Sequence, residues 1–285
     1  MKPKNTASEH SIFGKLRWLD EPLNGRKTMA LDRLSLSTVP ITPFFNDLRL
    51  PEATGFVWKR RDRFYLITNW HVATATHIFT KQLLLKTGAR PNRFRCSFVI
   101  RVGALEREIV DIPIRDDNDE PLWLVYAAQH IRAIDIVAIP LDADALKGKV
   151  TLLPVNELAP GRIAIMIGVD VFILGYPFGS GPPAFPVWKR GSIASEPDLV
   201  KAATGYYLVD TASRPGMSGS PVILRSWNSH IMESNAFAAT TDGPIDRVIG
   251  VYSGRKDDVP GDAQIGMVWH VSYIDDIIDG DKRDI

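Results

Sequence analysis

The sequence predicts an all-β chain, either a sandwich or a barrel. Three observations carry that reading. Short β-branched and aromatic runs recur along the chain, as at Gly55–Trp58, Phe64–Thr68 and Phe94–Ile100. Charged, proline or glycine turns separate them, as at Lys59–Arg63. Helical signals are confined to two short segments, Lys15–Leu19 and Ser272–Ile278.

Composition bounds the rest. The 285 residues allow one or two domains with a sizeable core. Hydrophobic residues make up 45% and charged residues 24%, ordinary globular proportions. A formal net charge of +1 gives no reason to expect nucleic acid as a partner. Cys96 is the single cysteine, so no internal disulfide forms. No apolar run reaches the roughly 18 residues of a membrane span, and the N-terminus lacks the apolar core of a signal peptide. A reducing, cytoplasmic setting is the simplest expectation, with no membrane partner.

Residues 1–35 are polar and without a clean period, and read as an N-terminal extension. Thr38–Phe45 mixes Val, Ile and Phe with two prolines, which predicts an edge strand. Gly55–Trp58 and Phe64–Thr68 form a hairpin that ends in Thr68-Asn69-Trp70-His71-Val72. His71 stands just past the strand end, among small residues. Histidine is the usual general base near neutral pH, but a histidine in this place is also a common surface or core residue. Phe94–Ile100 and Glu108–Ile112 are two more strands. Cys96, inside the first, reads as a buried small hydrophobe rather than a nucleophile. Asp116–Glu120 lacks the central glycine and late glutamate of a calcium loop and reads as a solvated turn.

Asp135 sits in the apolar run Ile134–Ile139. Burying a carboxylate is costly unless it is paired. It is either an exposed edge residue or a carboxylate that orients a histidine ring. Leu141–Arg162 reads as a crossover. Val171–Gly179, Val187–Ile193, Tyr206–Thr211, Pro221–Leu224, Val248–Ser253 and Ile265–Val271 are further strands. Arg225–Asp246 reads as a long polar loop. Ser272 is the expected N-cap of a closing helix.

The stretch Arg214-Pro215-Gly216-Met217-Ser218-Gly219-Ser220-Pro221 resembles a serine-nucleophile loop. Gly216 and Gly219 bracket Ser218 and permit backbone conformations that turn neighbouring amides toward one point. The N–H groups of Gly216 and Ser218 would then hold an oxyanion. The same residues also suit a tight turn between strands. His71, Asp135 and Ser218 occur in the order His, Asp, Ser, which differs from subtilisins and α/β-hydrolases. The other histidines, His10, His77, His130, His230 and His270, have no matching context. No Cys/His cluster offers a metal site, and no cofactor is expected.

These words together resemble the trypsin-like (chymotrypsin-fold) serine proteases, especially the bacterial HtrA/Deg-type protease domain. They are Leu66–Val72, Asp135–Ala138, Leu174–Gly179, Asp210–Pro221 and Gly250-Val251-Tyr252-Ser253-Gly254, and the match spans roughly Leu36 to Ile278. The resemblance implies two six-stranded β-barrels, over residues 36–145 and 146–285, with the active site between them. It implies serine endopeptidase activity on a protein or peptide substrate, with His71, Asp135 and Ser218 as the triad. It also implies a substrate-binding edge at Tyr252, Ser253 and Gly254. The acceptor pocket for the residue before the cut would have Ala212 at its floor, Gly254 and Gly266 as walls and Asp210 deeper still, favouring small or medium apolar side chains. The chain departs from the family in three places, one of them the Arg225–Asp246 loop, which is longer than the HtrA branch leads one to expect. No PDZ domain fits before Ile285, and Met217 replaces the acidic residue that pairs with a newly cut N-terminus in digestive relatives. Two other readings stay open: a peptide-binding scaffold with little turnover, and an esterase using the same triad.

Overall fold

The computed structural model describes residues 31–285 except 103–105, 178, 180–184, 213, 228, 240–242 and 256–263. The expected helix at Lys15–Leu19 lies outside the described residues. The Asp32 side chain accepts from Leu34 N–H and caps the short helix Arg33–Ser37. The strands are, in chain order, β1 (Thr38–Phe45), β2 (Leu48–Arg49), β3 (Ala53–Arg60), β4 (Arg63–Thr68), β5 (Arg93–Val99), β6 (Arg107–Pro113), β7 (Val137–Leu141), β8 (Asp170–Gly175), β9 (Val187–Ile193), β10 (Tyr206–Asp210), β11 (Pro221–Ser226), β12 (Ser229–Ile231), β13 (Phe237–Ala239), β14 (Ile245–Arg255) and β15 (Ile265–His270).

The first sheet runs β6-β5-β1-β3-β4-β7, with β2 on β1. It is a curled half-barrel and not the closed six-stranded barrel the resemblance implied. The reason lies at β7. The edge of β7 facing away from β4 is taken by the irregular segment before it: Leu124 N–H donates to Ala138 O (2.9 Å) and Ala138 N–H returns to Leu124 O (3.1 Å). Among the described residues, that bridge at Ala138 takes a position on the edge where β6 would have to pair. The β3–β4 hairpin turns on Arg61 and Asp62, both at positive φ (49° and 62°), the geometry of a two-residue turn that matches strand twist. β1 is an interior strand, contrary to the edge expected from its prolines. It pairs β3 through Thr38–Ile41 and β5 through Ile41–Phe44. Pro40 therefore faces a ladder only toward β3 and Pro43 only toward β5, which suits residues that lack an N–H. Inside the curl, Phe94, Cys96, Phe98 and Trp123 are buried together. Burial pushes the Cys96 thiol far above its ordinary range, so it is no thiolate nucleophile.

The second sheet closes as a barrel, β10-β15-β14-β11-β8-β9. Its interior holds Ile173, Tyr207, Val209, Met217, Tyr252 and Val268. The stretch read as a loop, Arg225–Asp246, instead continues β11, forms the β12–β13 hairpin and enters β14. Arg225 ties its ends, donating to both carboxylate oxygens of Asp246 (2.6 and 2.7 Å) and stacking over Trp188. A third apolar cluster joins the two sheets through Phe56, Ile67, Ile136, Leu174 and Trp269. The closing helix Ser272–Gly280 returns to the first sheet, where Trp58 Nε1–H and Arg60 donate to Asp275 (3.0 and 3.2 Å). Ser272 is its first helical residue and not its N-cap; that position falls to Val271.

Candidate active site

β4 and β7 are paired, with Thr68 opposite Val137. That register brings the end of β4 beside the residues leading into β7. β4 runs into Asn69 and the short helix Trp70–Thr74, so His71 lands next to Asp135. The Asp135 carboxylate is wholly buried. Its Oδ1 accepts from His71 N–H (2.8 Å), and its Oδ2 accepts from His71 Nδ1–H (2.7 Å). Ser253 Oγ–H also donates to Oδ2. Burial alone would raise the Asp135 pKa. The charge on His71, its ring hydrogen bond, the Ser253 hydroxyl and the His71 N–H outweigh burial, and the carboxyl is held below its ordinary value. Asp135 is therefore an anion, and the His71 nitrogen that faces it, Nδ1, carries a proton.

Ser218 lies across the groove, on the loop that feeds β11. It shares a cleft of about 260 Å³ with His71, Pro215 and Gly216. Two glycines shape the loop. Gly216 (φ 92°) and Gly219 (φ 84°) are both left-handed, and a Cβ at either would strike a carbonyl, of Tyr176 or of Thr54 respectively. Gly219 N–H donates to Tyr252 O (2.8 Å) and Ser220 N–H to Met217 O (3.1 Å). Among the described residues, no hydrogen bond engages the N–H of Gly216 or of Ser218. These are the two donors expected to face an oxyanion.

Sequence reasoning missed the residue that locks this loop. Thr54, wholly buried on β3, reaches across from the first sheet. Its N–H donates to Ser218 O (2.8 Å) and its Oγ1–H to Gly216 O (2.7 Å). Oγ1 in turn accepts from Tyr176 N–H (3.0 Å) on the second sheet. Thr68 donates to Thr54 O (2.8 Å), and Asn69 Nδ2 donates to Asp135 O (2.7 Å). A signal was present: Thr54, Thr68 and Asn69 are polar residues at the ends of strongly apolar strands. Buried polar groups are hydrogen-bonded, so such residues need partners somewhere.

The expected substrate-binding residues fare unevenly. A Cβ on Gly254 would lie 3.9 Å from Ser218 Oγ, so this wall adjoins the nucleophile. Gly254 and Ser253 also border a second cleft of about 190 Å³ with His71 and Arg255. The Ser253 side chain faces Asp135 and not the groove. Tyr252 is fully buried, and its backbone is engaged within the fold, N–H to Ser220 O (2.9 Å) and C=O to Gly219 N–H. It offers no free edge to a substrate. Ala212 is exposed. The strand alternation that placed it at a pocket floor ends at Asp210, also exposed, and Thr211 N–H turns away to Gln264 O (2.9 Å). Gly266 is buried against the ring of Tyr252.

A closed barrel and a curled sheet thus bring the His71–Asp135 pair and Ser218 to one groove. The sequence profile of the trypsin-like peptidase domain matches residues 53–229, and the chain belongs to that family. Among solved structures, it is similar to the active form of the Rv3671c protease from M. tuberculosis, at 19% identity over 93% of this chain and 95% of that one, TM-score 0.43. It is also similar to the serine endoprotease from Yersinia pestis, at 12% identity over 89% and 67%, TM-score 0.47. No curated protein sequence matches.

Proposed function

We propose that the chain is an endopeptidase working through Ser218, His71 and Asp135 and an acyl-enzyme. The observation that carries this is the double clamp of the buried Asp135 on His71, through backbone N–H and ring Nδ1–H, beside a serine on a glycine-shaped loop. In this reading His71 Nε2 takes the Ser218 proton as Oγ bonds to the peptide carbonyl carbon. The oxygen becomes an oxyanion before the N–H groups of Gly216 and Ser218. The C–N bond breaks, and the amine leaves with the proton held by His71. Water then attacks the ester, with His71 again as base, and releases the acid and free Ser218. The peptide backbone would lie along Ser253–Gly254, past the point where β14 leaves β11. Esters would pass through the same steps. The test combines fluorophosphonate labelling of Ser218 with a peptide-library digest read by mass spectrometry. Labelling and endoproteolysis, both abolished in Ser218→Ala with a loss on the order of 10⁶ in kcat, support the reading. Labelling without peptide cleavage would point to an esterase, and no labelling to a scaffold.

A further inference from the structure

Two clefts open beside His71, and their walls differ in chemistry. The larger, about 260 Å³, runs past Ser218, Gly216 and Pro215. Leu50, Val72, Ala75 and Pro91 are buried in its walls, and Leu84 and Leu85 stand at its rim. Leu84 N–H donates to Ala75 O (2.8 Å), so the rim is tied to the wall. Glu52 is the one carboxylate among the described residues that line it, and Arg49 pairs with it. The smaller cleft, about 190 Å³, mixes Asp135, His77 and Arg255 with Ile78 and Met267. Charged and apolar walls share that space, where the larger cleft presents mostly hydrocarbon.

Catalysis fixes which part of a peptide meets which cleft. In the Ser218 reading, the half before the cut runs along Ser253–Gly254, which borders the smaller cleft. The half after the cut then passes Gly216 and Pro215, which border the larger cleft and not the smaller. Its amine has to stand at His71, the group that hands it a proton. Val72 follows His71 on the same short helix, and Ala75 ends that helix. The first side chain beyond the cut is therefore the one beside these walls.

We infer that the larger cleft binds the side chain of the residue immediately after the scissile bond, takes Leu or Phe there, and discriminates more sharply than the site before the cut. The inference rests on the Ser218 reading and moves the main preference away from the residue before the cut, where the family resemblance places it. An apolar cavity of about 150 Å³ already holds a benzene ring, so a Phe side chain fits. Burying such a side chain favours it over glycine by about 10–100-fold.

Acyl transfer reads that side alone. An acyl-enzyme made from one small ester partitions between water and added amino-acid amides. Leucinamide and phenylalaninamide should capture it at least about 10-fold better than glycinamide. Leu85→Asp, at the rim, should lower the ratio of leucinamide to lysinamide capture by at least about 10-fold. Equal capture of leucinamide and glycinamide overturns the inference, as does an unchanged ratio in Leu85→Asp. So does a peptide panel in which the residue before the cut spreads kcat/KM more widely than the residue after it. A second readout needs no catalysis. Ser218→Ala is titrated with leucyl-alanine amide or glycyl-alanine amide, each the amine half of a cleaved peptide, and followed by methyl NMR. The leucyl compound should shift Leu50, Val72 and Leu85, and the glycyl compound should not. Equal shifts, or shifts centred on Ile78 and Met267 of the smaller cleft, overturn the inference. Absence of fluorophosphonate labelling would count against Ser218 as nucleophile, while the NMR titration still decides what the cleft binds.

Discussion

Replacing Thr54 by valine keeps the shape of the side chain and removes only the hydroxyl. That hydroxyl donates to Gly216 O (2.7 Å) and accepts from Tyr176 N–H (3.0 Å). Thr54 is wholly buried, so valine strands the Tyr176 N–H without water. A stranded buried donor costs about 1–3 kcal/mol and a lost neutral hydrogen bond about 1 kcal/mol. The sum, about 2–4 kcal/mol, lowers Tm by roughly 4–16 °C in a chain of this size. The catalytic effect has a different origin. The Thr54 hydroxyl anchors the peptide between Gly216 and Met217; the Gly216 N–H belongs to the peptide before it, so the anchor steadies that N–H only through the φ and ψ of Gly216. Removing an oxyanion donor outright costs about 10²–10³ in kcat. Loosening one should cost about 10–100-fold, with KM little changed, because the substrate backbone does not touch Thr54. Steady-state kinetics well below the lowered Tm separates the two effects. Thr54→Ser retains the hydroxyl and should recover most of kcat. A folded Thr54→Val with wild-type kcat, or a Thr54→Ser as impaired as the valine variant, would refute the argument.

Other expectations follow from the same contacts. Asp135→Asn keeps the geometry but offers an amide where His71 needs an anion, and should lower kcat by about 10⁴, read with a chromogenic peptide at pH 8. The Asp135 carboxyl is held below its ordinary value, so its stabilising contribution is complete above the unfolded carboxylate pKa of about 3.9 and fades as pH falls through the folded one. Denaturation of wild type against Asp135→Asn should therefore show a stability gap that does not narrow from pH 8 to about pH 5 and narrows below pH 4; a gap that narrows between pH 7 and pH 5 contradicts this. Arg225→Met leaves Asp246, only 13% exposed in its side chain, without its bidentate partner. The expected loss is about 2–3 kcal/mol, less than for a wholly buried pair, with kcat/KM unaltered because Arg225 lies outside both clefts. Urea titration and peptide kinetics check the two halves of that statement.

Much of the fold was legible because its strands alternate or run apolar for five to eight residues, and β9 falls on its expected bounds, Val187–Ile193. The convergence of His71 and Asp135 was legible for a related reason, since a carboxylate in an apolar run has to find a partner. What escaped was set by pairing between distant segments. Two prolines said edge strand, because sequence does not show that β1 changes neighbour at Ile41. Arg225–Asp246 said loop, because β12 and β13 are three residues each and mostly exposed. Such strands carry almost no apolar pattern.

The segment around Tyr252 shows what strand alternation leaves open. Simple alternation along Val251-Tyr252-Ser253-Gly254 turns neighbouring side chains to opposite faces, and so places Tyr252 and Gly254 together on one side and Ser253 on the other. In the fold, Val251 and Tyr252 are both wholly buried, and the β14–β15 register slips between Tyr252 and Arg255. A bulge inserts a residue and re-aims the side chains around it. Here it lets Tyr252 face the barrel interior, Ser253 reach Asp135, and Gly254 stand bare beside Ser218. One irregularity of three residues thus sets both the Ser253 contact with Asp135 and the bare position beside Ser218. Its position depends on how β15 meets β14, so the word Gly250–Gly254 locates the strand while leaving open which of its side chains the substrate would meet.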